Sequence, residues 1–210
     1  VAKTGVLRYH PIMSEYLVLG IGGYAGVGKD LFYEKLSKKI DIKRHALADS
    51  LKDELRNVIL RDHGIDTTDC TRAEKEIIRP ILVNYGRSKR ATTNGKYFIN
   101  KLNEKILPIN ENVCITDIRY NSFENDEVRW LKNDLNGYLI YISQYAVDIE
   151  EGARIYKKAA NEEEEAHTKA VEKEADYVVN WEYVNDKDAL DVHVNKFIKW
   201  LSKQRQISIL

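Results

Sequence analysis

The chain has 210 residues, 43% of them hydrophobic and 31% charged, which is enough to bury one substantial core. Its 33 Lys and Arg residues balance its 33 Asp and Glu residues, and this zero formal charge excludes a global attraction to a nucleic acid polymer or an anionic membrane. With two cysteines, no apolar run near the ~20 residues of a membrane span and no signal peptide, the sequence predicts a reduced, cytoplasmic protein.

The first half of the chain alternates short apolar runs with stretches of helical periodicity. In order, these patterns predict a loose leader (1–15), a strand (16–21), a helix (28–40), a short strand (44–48), a helix (51–60) capped at 49–50, a helix (71–86) and a further helix (96–107). The helix from residue 71 is predicted to begin at a capping box, Thr71-Arg72-Ala73-Glu74. Pro80 is expected to interrupt that helix, because proline lacks the backbone N–H.

The second half of the chain continues the alternation. It predicts a strand (112–117), a helix (122–133), a strand (137–143), a highly charged helical region (146–174), a last strand (175–180) and a closing helix (186–205). Strands alternating with helices predict a single α/β domain over residues 1–210, with three layers and a central parallel sheet flanked by helices.

The clearest motif lies where the first strand meets the first helix. Residues 23–29 read G-x-x-x-x-G-K, the pattern of a phosphate-binding loop, followed by Asp30 where Ser or Thr is usual. Backbone N–H groups converge on phosphate oxygens only where side chains are absent, the following helix N-terminus adds its positive dipole end, and Lys29 supplies a point charge. A glycine-rich turn that binds nothing is the alternative. The predicted triphosphate site comprises Gly23, Ala25, Gly26, Val27, Gly28, Lys29, Asp30 and Leu31.

A second candidate lies at the end of the strand predicted over residues 112–117. Asp117 would stand at the carboxyl edge of the sheet, where it could hold the Mg²⁺ hydration shell or simply cap a turn. The next residue is Ile118, and the lack of an activating Glu there disfavours a water-directed ATPase. Arg119 could bind a phosphate bidentately or pair with Asp117.

The densest basic stretch spans residues 79–90, with four cations in twelve positions. Phosphoryl transfer needs such cations for the acceptor phosphate and for the charge that develops in the transition state. The alternative is a solvated helix end, where cations are favourable near the C-terminus. The cations are Arg79, Arg87, Lys89 and Arg90.

Opposite charges also lie close together within residues 146–170. Arg154, Lys157 and Lys158 precede an acidic run over residues 162–165 and His167. Oppositely charged blocks on neighbouring helical turns usually form a solvated face. The functional alternative is a mobile lid that brings cations over the phosphates.

Several short motifs in a fixed order resemble one group of kinases. They are Gly23-x4-Gly28-Lys29-Asp30, Leu47-Ala48-x-x-Leu51-Lys52, Arg79 with Gly86 and Arg90 ahead of Tyr97-Phe98, Thr116-Asp117-Ile118-Arg119 followed by Glu124, and Glu162 to His167 ahead of residues 176–180. Together they resemble the phage deoxynucleoside monophosphate kinases and the animal-type phosphomevalonate kinases, which also carry Asp after the loop lysine. The resemblance covers residues 17–185.

The resemblance implies a P-loop NTPase fold of the nucleoside monophosphate kinase-like type. It implies that Lys29 and the loop amides bind the ATP phosphates, and that Asp117, assisted by Asp30, organises Mg²⁺. The region of residues 47–52 would border the acceptor pocket. The residues implied for the acceptor phosphate and the transferring group are Arg79, Arg90 and Arg119.

The reaction implied is transfer of the γ-phosphoryl group of ATP to a deoxynucleoside monophosphate, giving ADP and the diphosphate. The acceptor oxygen is already an anion, so positioning and charge neutralisation suffice, which fits a sequence without a catalytic triad. Alternatives are a kinase of phosphomevalonate or another small phosphorylated metabolite, an ATP-binding regulator, and a structural protein with a degenerate loop. The partners expected are therefore ATP and a nucleoside monophosphate, with a homodimer as the candidate assembly.

Overall fold

The computed structural model describes residues 16–108, 110–184, 186 and 188–205. Its strands are β1 (Val18–Gly22), β2 (Lys43–His45), β3 (Val113–Ile118), β4 (Tyr138–Val147), β5 (Arg154–Tyr156) and β6 (Tyr177–Glu182). Its helices are α1 (Lys29–Ser37), α2 (Leu47–His63), α3 (Arg72–Thr92), α4 (Lys96–Ile106), α5 (Glu127–Arg129, continued by a π-helical turn over Trp130–Asp134), α6 (Glu162–Lys173) and α7 (Ala189–Arg205). The predicted leader, residues 1–15, lies outside the described residues.

One sheet organises the chain, and β1 lies near its middle. β1 pairs in parallel with β3 on one side and with β4 on the other, so that Gly20 is opposite both Ile115 and Leu139. β2 extends the sheet beyond β3, β6 extends it beyond β4, and both additions are parallel. Among the strands of the described residues, only β5 runs antiparallel, against the far end of β4.

Helices cover both faces of this sheet. Leu19 and Ile21 of β1 lie in a buried cluster with Phe32 of α1 and Phe197 of α7. Val18, from the opposite face of β1, lies in a second cluster formed with α4, α5 and the neighbouring strands. The predicted α/β fold, with a central parallel sheet flanked by helices, is therefore confirmed. No helix within the described ranges combines the length and the apolar character that crossing a membrane requires.

The structure corrects two predicted boundaries in the first half of the chain. α3 continues through Pro80 without interruption, because its start is fixed by the complete capping box at Thr71 and the buried residues Ile78 and Gly86 lie on either side of the proline. α2 begins at Leu47, four residues earlier than predicted, because its first amides are capped by a side chain from β3 rather than by residues 49–50.

Two helices predicted in the second half are also partly wrong. Residues 146–174 are not one helix: β4 reaches Val147, and the chain then turns back into β5 before α6 begins. Asp148 fixes that turn by accepting hydrogen bonds from the amides of Glu150 and Glu151, and Gly152 adopts a left-handed conformation with φ +65°. The helix predicted over 122–133 begins only at Glu127, because Asp126 binds upstream amides in a non-helical loop.

Candidate active site

The loop between β1 and α1 has the compact shape that its glycines predict. Gly23, Gly26 and Gly28 have φ values of +136°, +74° and +95°, a region that other residues rarely adopt. A Cβ on Gly23 would lie 2.2 Å from the carbonyl oxygen of Ile142, and the indole of Trp181 donates to the Val27 carbonyl at 2.7 Å. The loop is therefore pressed against β4 and β6, and it ends at the N-terminus of α1.

Lys29 folds its ammonium back into this loop. Its Nζ donates to the carbonyl oxygens of Gly23 and Tyr24, both at 2.7 Å. Burial, followed by the nearby positive charge of Arg119, lowers the pKa of Lys29 to about 8. The loop thus holds a poorly solvated cation close to its own backbone, which is the environment in which a phosphate group is strongly attracted.

A cleft of about 310 Å³ extends from this loop to the region between α2 and α3. Lys29, Asp30 and Asp117 all line it, and so do the arginines predicted from the basic stretch and from the end of β3, namely Arg79, Arg90 and Arg119. Ala25 and Gly26 contribute the loop side of the cleft. The carboxylate of Asp30 is 84% exposed and lies 3.7 Å from Nε of Arg44.

Asp117 caps a helix across the sheet edge. One of its carboxylate oxygens accepts from the amide of Leu47 and the other from the amide of Ala48, both at 2.8 Å. Ala46 occupies the N-cap position of α2 and has no polar side chain for this purpose, so the carboxylate from β3 supplies the cap. Capping, one of the two roles that the sequence allows for Asp117, is thus a contact that this residue makes.

Arg90 lies beneath the cleft in a buried ionic cluster. Its guanidinium is 2.5 Å from a carboxylate oxygen of Asp126 and 2.9 Å from one of Glu127, and it lies 3.7 Å from the ring centre of Tyr120. Burial raises the pKa of Glu127 to about 8, although the positive charge of Arg90 opposes this shift. The guanidinium of Arg90 thus donates to two carboxyl groups of the chain itself.

The same cluster fixes the segment that carries Arg119. Oε2 of Glu127 accepts from the amides of Arg119 and Tyr120, at 2.7 and 3.1 Å. The guanidinium of Arg119 reaches the cleft, and among the described residues it forms no hydrogen bond or ion pair. Glu127 therefore positions an available cation, a role that the sequence did not reveal because the two residues belong to different elements.

Positive charges accumulate on the α2–α3 side of the cleft. Lys52, Lys75, Arg79 and Arg119 form this group, called here the cation cluster. Partial burial lowers the pKa of Lys75, and the charges of Lys52, Arg79 and Arg119 lower it further. Arg79 pairs with Glu76 at 2.6 Å, whereas Lys52 lies 3.9 Å from Asp49. Lys75 was missed from the sequence, although its position four residues before Arg79 places both on one face of α3.

Part of the segment considered as a lid contacts the phosphate loop. Nζ of Lys157 donates to the carbonyl oxygen of Gly26 at 2.9 Å, and the carboxylate of Glu164 accepts from the amide of Ala25 at 2.9 Å. His167 is 2.8 Å from the hydroxyl of Ser122, which follows the end of β3. This segment therefore closes one side of the loop.

The residues present fit a magnesium ion held mainly by nucleotide phosphates. Within the described ranges, no group of three or more His, Cys, Asp or Glu side chains could hold a metal ion. Mg²⁺ commonly requires only one or two carboxylates besides substrate phosphates and water. Asp30, exposed at the mouth of the loop, offers such a carboxylate, whereas both oxygens of Asp117 already accept hydrogen bonds.

No protein-family model matches this sequence, and no curated protein matches it. Among solved structures it is similar to dephospho-CoA kinase from Campylobacter jejuni, with 15% identity and a TM-score of 0.47 over 90% of this chain and 98% of that one. It is also similar to shikimate kinase from Acinetobacter baumannii in complex with shikimate, with 11% identity and a TM-score of 0.46 over 91% and 96%. Shikimate kinase from Aquifex aeolicus is similar as well, with 14% identity and a TM-score of 0.44 over 90% of this chain and 98% of that one. Similarity at this level assigns no activity to this chain.

Proposed function

We propose that this protein is a kinase that transfers the γ-phosphoryl group of ATP to a small acceptor which already carries a phosphate. The observation that carries this proposal is the shared cleft, in which the phosphate loop with Lys29 faces the cation cluster. A single phosphate-binding loop would account for ATP alone. Four further cations beside it supply a second anion site, which is what a phosphorylated acceptor requires.

The proposed chemistry needs no protein nucleophile. An anionic oxygen of the acceptor phosphate attacks the γ-phosphorus, the bond from that phosphorus to the β–γ bridging oxygen breaks, and ADP leaves with the electron pair. Lys29 neutralises charge on the phosphates of ATP, while Arg79 and Arg119 hold the acceptor phosphate and stabilise the transferring group. When bound, Mg²⁺ would neutralise the β- and γ-phosphate oxygens, with Asp30 the carboxylate best exposed to hold it.

Apolar side chains that line the cleft support a nucleotide as the acceptor. Leu51, Leu82, Val83 and Phe98 are among the lining residues, and they offer a flat, largely apolar body such as a nucleobase a favourable surface. Besides its phosphate, phosphomevalonate carries a carboxylate and a hydroxyl, which would lose hydration there without gaining hydrogen-bond partners. We therefore propose a deoxynucleoside monophosphate as the acceptor, in line with the resemblance described from the motifs.

An acceptor panel tests this proposal directly. ADP release is measured with ATP, Mg²⁺ and each deoxynucleoside monophosphate in turn, and with phosphomevalonate. Acceptor-dependent ADP formation with at least one deoxynucleoside monophosphate is expected, whereas turnover with phosphomevalonate alone would establish the alternative acceptor. ATP hydrolysis that no acceptor stimulates would refute the kinase.

The phosphate loop is tested with a matched pair of lysine variants. Lys29→Ala should reduce turnover by more than about 100-fold, because the charge on the phosphates is then left uncompensated. Lys39→Ala removes an exposed lysine just beyond α1, outside the cleft, and should retain wild-type turnover. Retained activity in Lys29→Ala, with unchanged thermal melting in both variants, would show that the loop is not the ATP site.

A further inference from the structure

A carboxylate of the chain itself accepts a hydrogen bond from one of the loop amides. Oε1 of Glu164 accepts from the amide of Ala25 at 2.9 Å, across 139 residues of sequence. Its other oxygen, Oε2, accepts from the amide of Ala160 at 2.7 Å. Amides of a phosphate-binding loop are the donors that phosphate oxygens take, so the carboxylate of Glu164 stands where an anion is expected.

The helix that carries Glu164 is itself held in place. Asn161 caps α6 by accepting the amide of Glu164 at 2.8 Å, which fixes the first turn of the helix over the loop. Lys157 adds a second contact by donating to the carbonyl oxygen of Gly26. Residues 157–164 therefore contact two successive loop residues, Ala25 through its amide and Gly26 through its carbonyl group.

The negative charge of Glu164 also lies within the field of the site's cations. It acts on Lys29 of the phosphate loop and on Arg79 of the cation cluster, and it favours the protonated form of both. A polyanion that enters the loop would meet this charge at short range, and the repulsion between like charges is strong in a partly desolvated cleft. Glu164 and a nucleotide phosphate thus compete for the same donor and for the same cations.

We propose that Glu164 is an internal competitor of the nucleotide, which occupies the Ala25 amide in the empty loop and must leave it when a triphosphate binds. The inference rests on the proposed nucleotide site. Because the same carboxylate also holds the amide of Ala160, its departure releases the segment from 157 to 164, and nucleotide binding is thereby coupled to the movement of that segment. Because the carboxylate competes for the same amide, its return to Ala25 favours release of the phosphates.

The test compares two neighbouring glutamates. Glu164→Gln removes the charge and keeps one carbonyl oxygen, whereas Glu165→Gln makes the same chemical change one residue later, where the carboxylate pairs with Lys169 at 2.6 Å. The dissociation constant for ATP is measured by titration calorimetry. Glu164→Gln should bind ATP about tenfold more tightly than the wild type, since a charge-assisted hydrogen bond no longer has to be broken. Glu165→Gln should bind as the wild type does.

Hydrogen exchange gives a second, independent readout. In the wild type, ATP should accelerate exchange of the Ala160 amide, because its acceptor Glu164 departs; in Glu164→Gln that amide should exchange faster even without ATP. If Glu164→Gln does not fold, Glu164→Asp takes its place, since its shorter side chain cannot hold both amides. If the folded variant binds ATP as tightly as the wild type or more weakly, Glu164 does not compete with the nucleotide, and the proposed nucleotide site is unaffected. Failure of both wild type and variant to bind ATP overturns the nucleotide site itself, and the competitor falls with it.

Discussion

Replacing Asp117 with Asn decides between its two roles, helix cap and metal ligand. The carboxylate accepts two amide hydrogen bonds at 2.8 Å, and an amide side chain can accept only one while it directs its NH₂ group at the other donor. Hydrogen bonds to a charged group contribute about 1.5–3 kcal/mol each, so we expect Asp117→Asn to lower the free energy of unfolding by about 2–3 kcal/mol. For a chain of this size that corresponds to a fall in Tm of about 5–10 °C. Urea denaturation and thermal melting measure both quantities.

Asp49→Asn is the matched control for this experiment. Asp49 lies in the first turn of the same helix and is partly exposed, so its replacement should change the unfolding free energy by less than about 1 kcal/mol. If Asp117→Asn melts like the wild type, the capping argument is wrong. If it melts like the wild type and also loses turnover, Asp117 acts on Mg²⁺ or substrate instead.

Three further predictions concern charges near the cleft. ATP affinity should be flat below pH 8 and should then weaken, approaching tenfold per pH unit, because Lys29 loses its proton with a pKa of about 8; titrations from pH 7 to 9.5 measure this. Arg90→Met should lower the free energy of unfolding by about 3–5 kcal/mol in urea denaturation, because it leaves the buried carboxylate of Asp126 and a buried oxygen of Glu127 without their donor. Arg79→Met, which breaks a more exposed pair, should lower it by less than about 1 kcal/mol. The raised pKa of Glu127 means that the folded state binds the extra proton, so stability should fall from about pH 5 to 8, and Glu127→Gln should remove that slope.

The conformation of the loop over residues 23–28 was predictable from the sequence because its requirements are local. Gly23 and Gly28 are needed for backbone conformations within the loop itself, and the strand before it and the helix after it are its immediate neighbours in the chain. The capping box at Thr71 is local in the same way, and it is confirmed with both of its hydrogen bonds. Patterns of this kind need no knowledge of what the segment packs against.

The partners of the charged residues could not be predicted from the sequence, because they depend on contacts between distant segments. Arg90 meets Asp126 and Glu127 across 36 and 37 residues, and the sequence alone gives no reason to pair them rather than to direct Arg90 at a ligand. The sequence predicts helix over residues 146–156, at the turn end of the β4–β5 hairpin, for a related reason. Its exposed strand residues follow no buried pattern, so their charges resembled a solvated helical face.

The charges around the cleft favour the binding of a polyanion. The pKa values of Lys29 and Lys75 are both lowered, by burial first and by neighbouring cations next, which means that these positive charges are held close together against their mutual repulsion. Under the proposed function, two phosphate-bearing substrates would relieve that repulsion, so part of their binding free energy would come from the preorganised charge of the protein. In the proposed competition, Glu164 partly takes their place when no nucleotide is bound. Removing Lys52, Lys75 or Arg119 one at a time should therefore stabilise the nucleotide-free protein while it weakens acceptor binding, whereas Arg79 differs because it also pairs with Glu76. A loss of stability in all three variants would contradict this expectation.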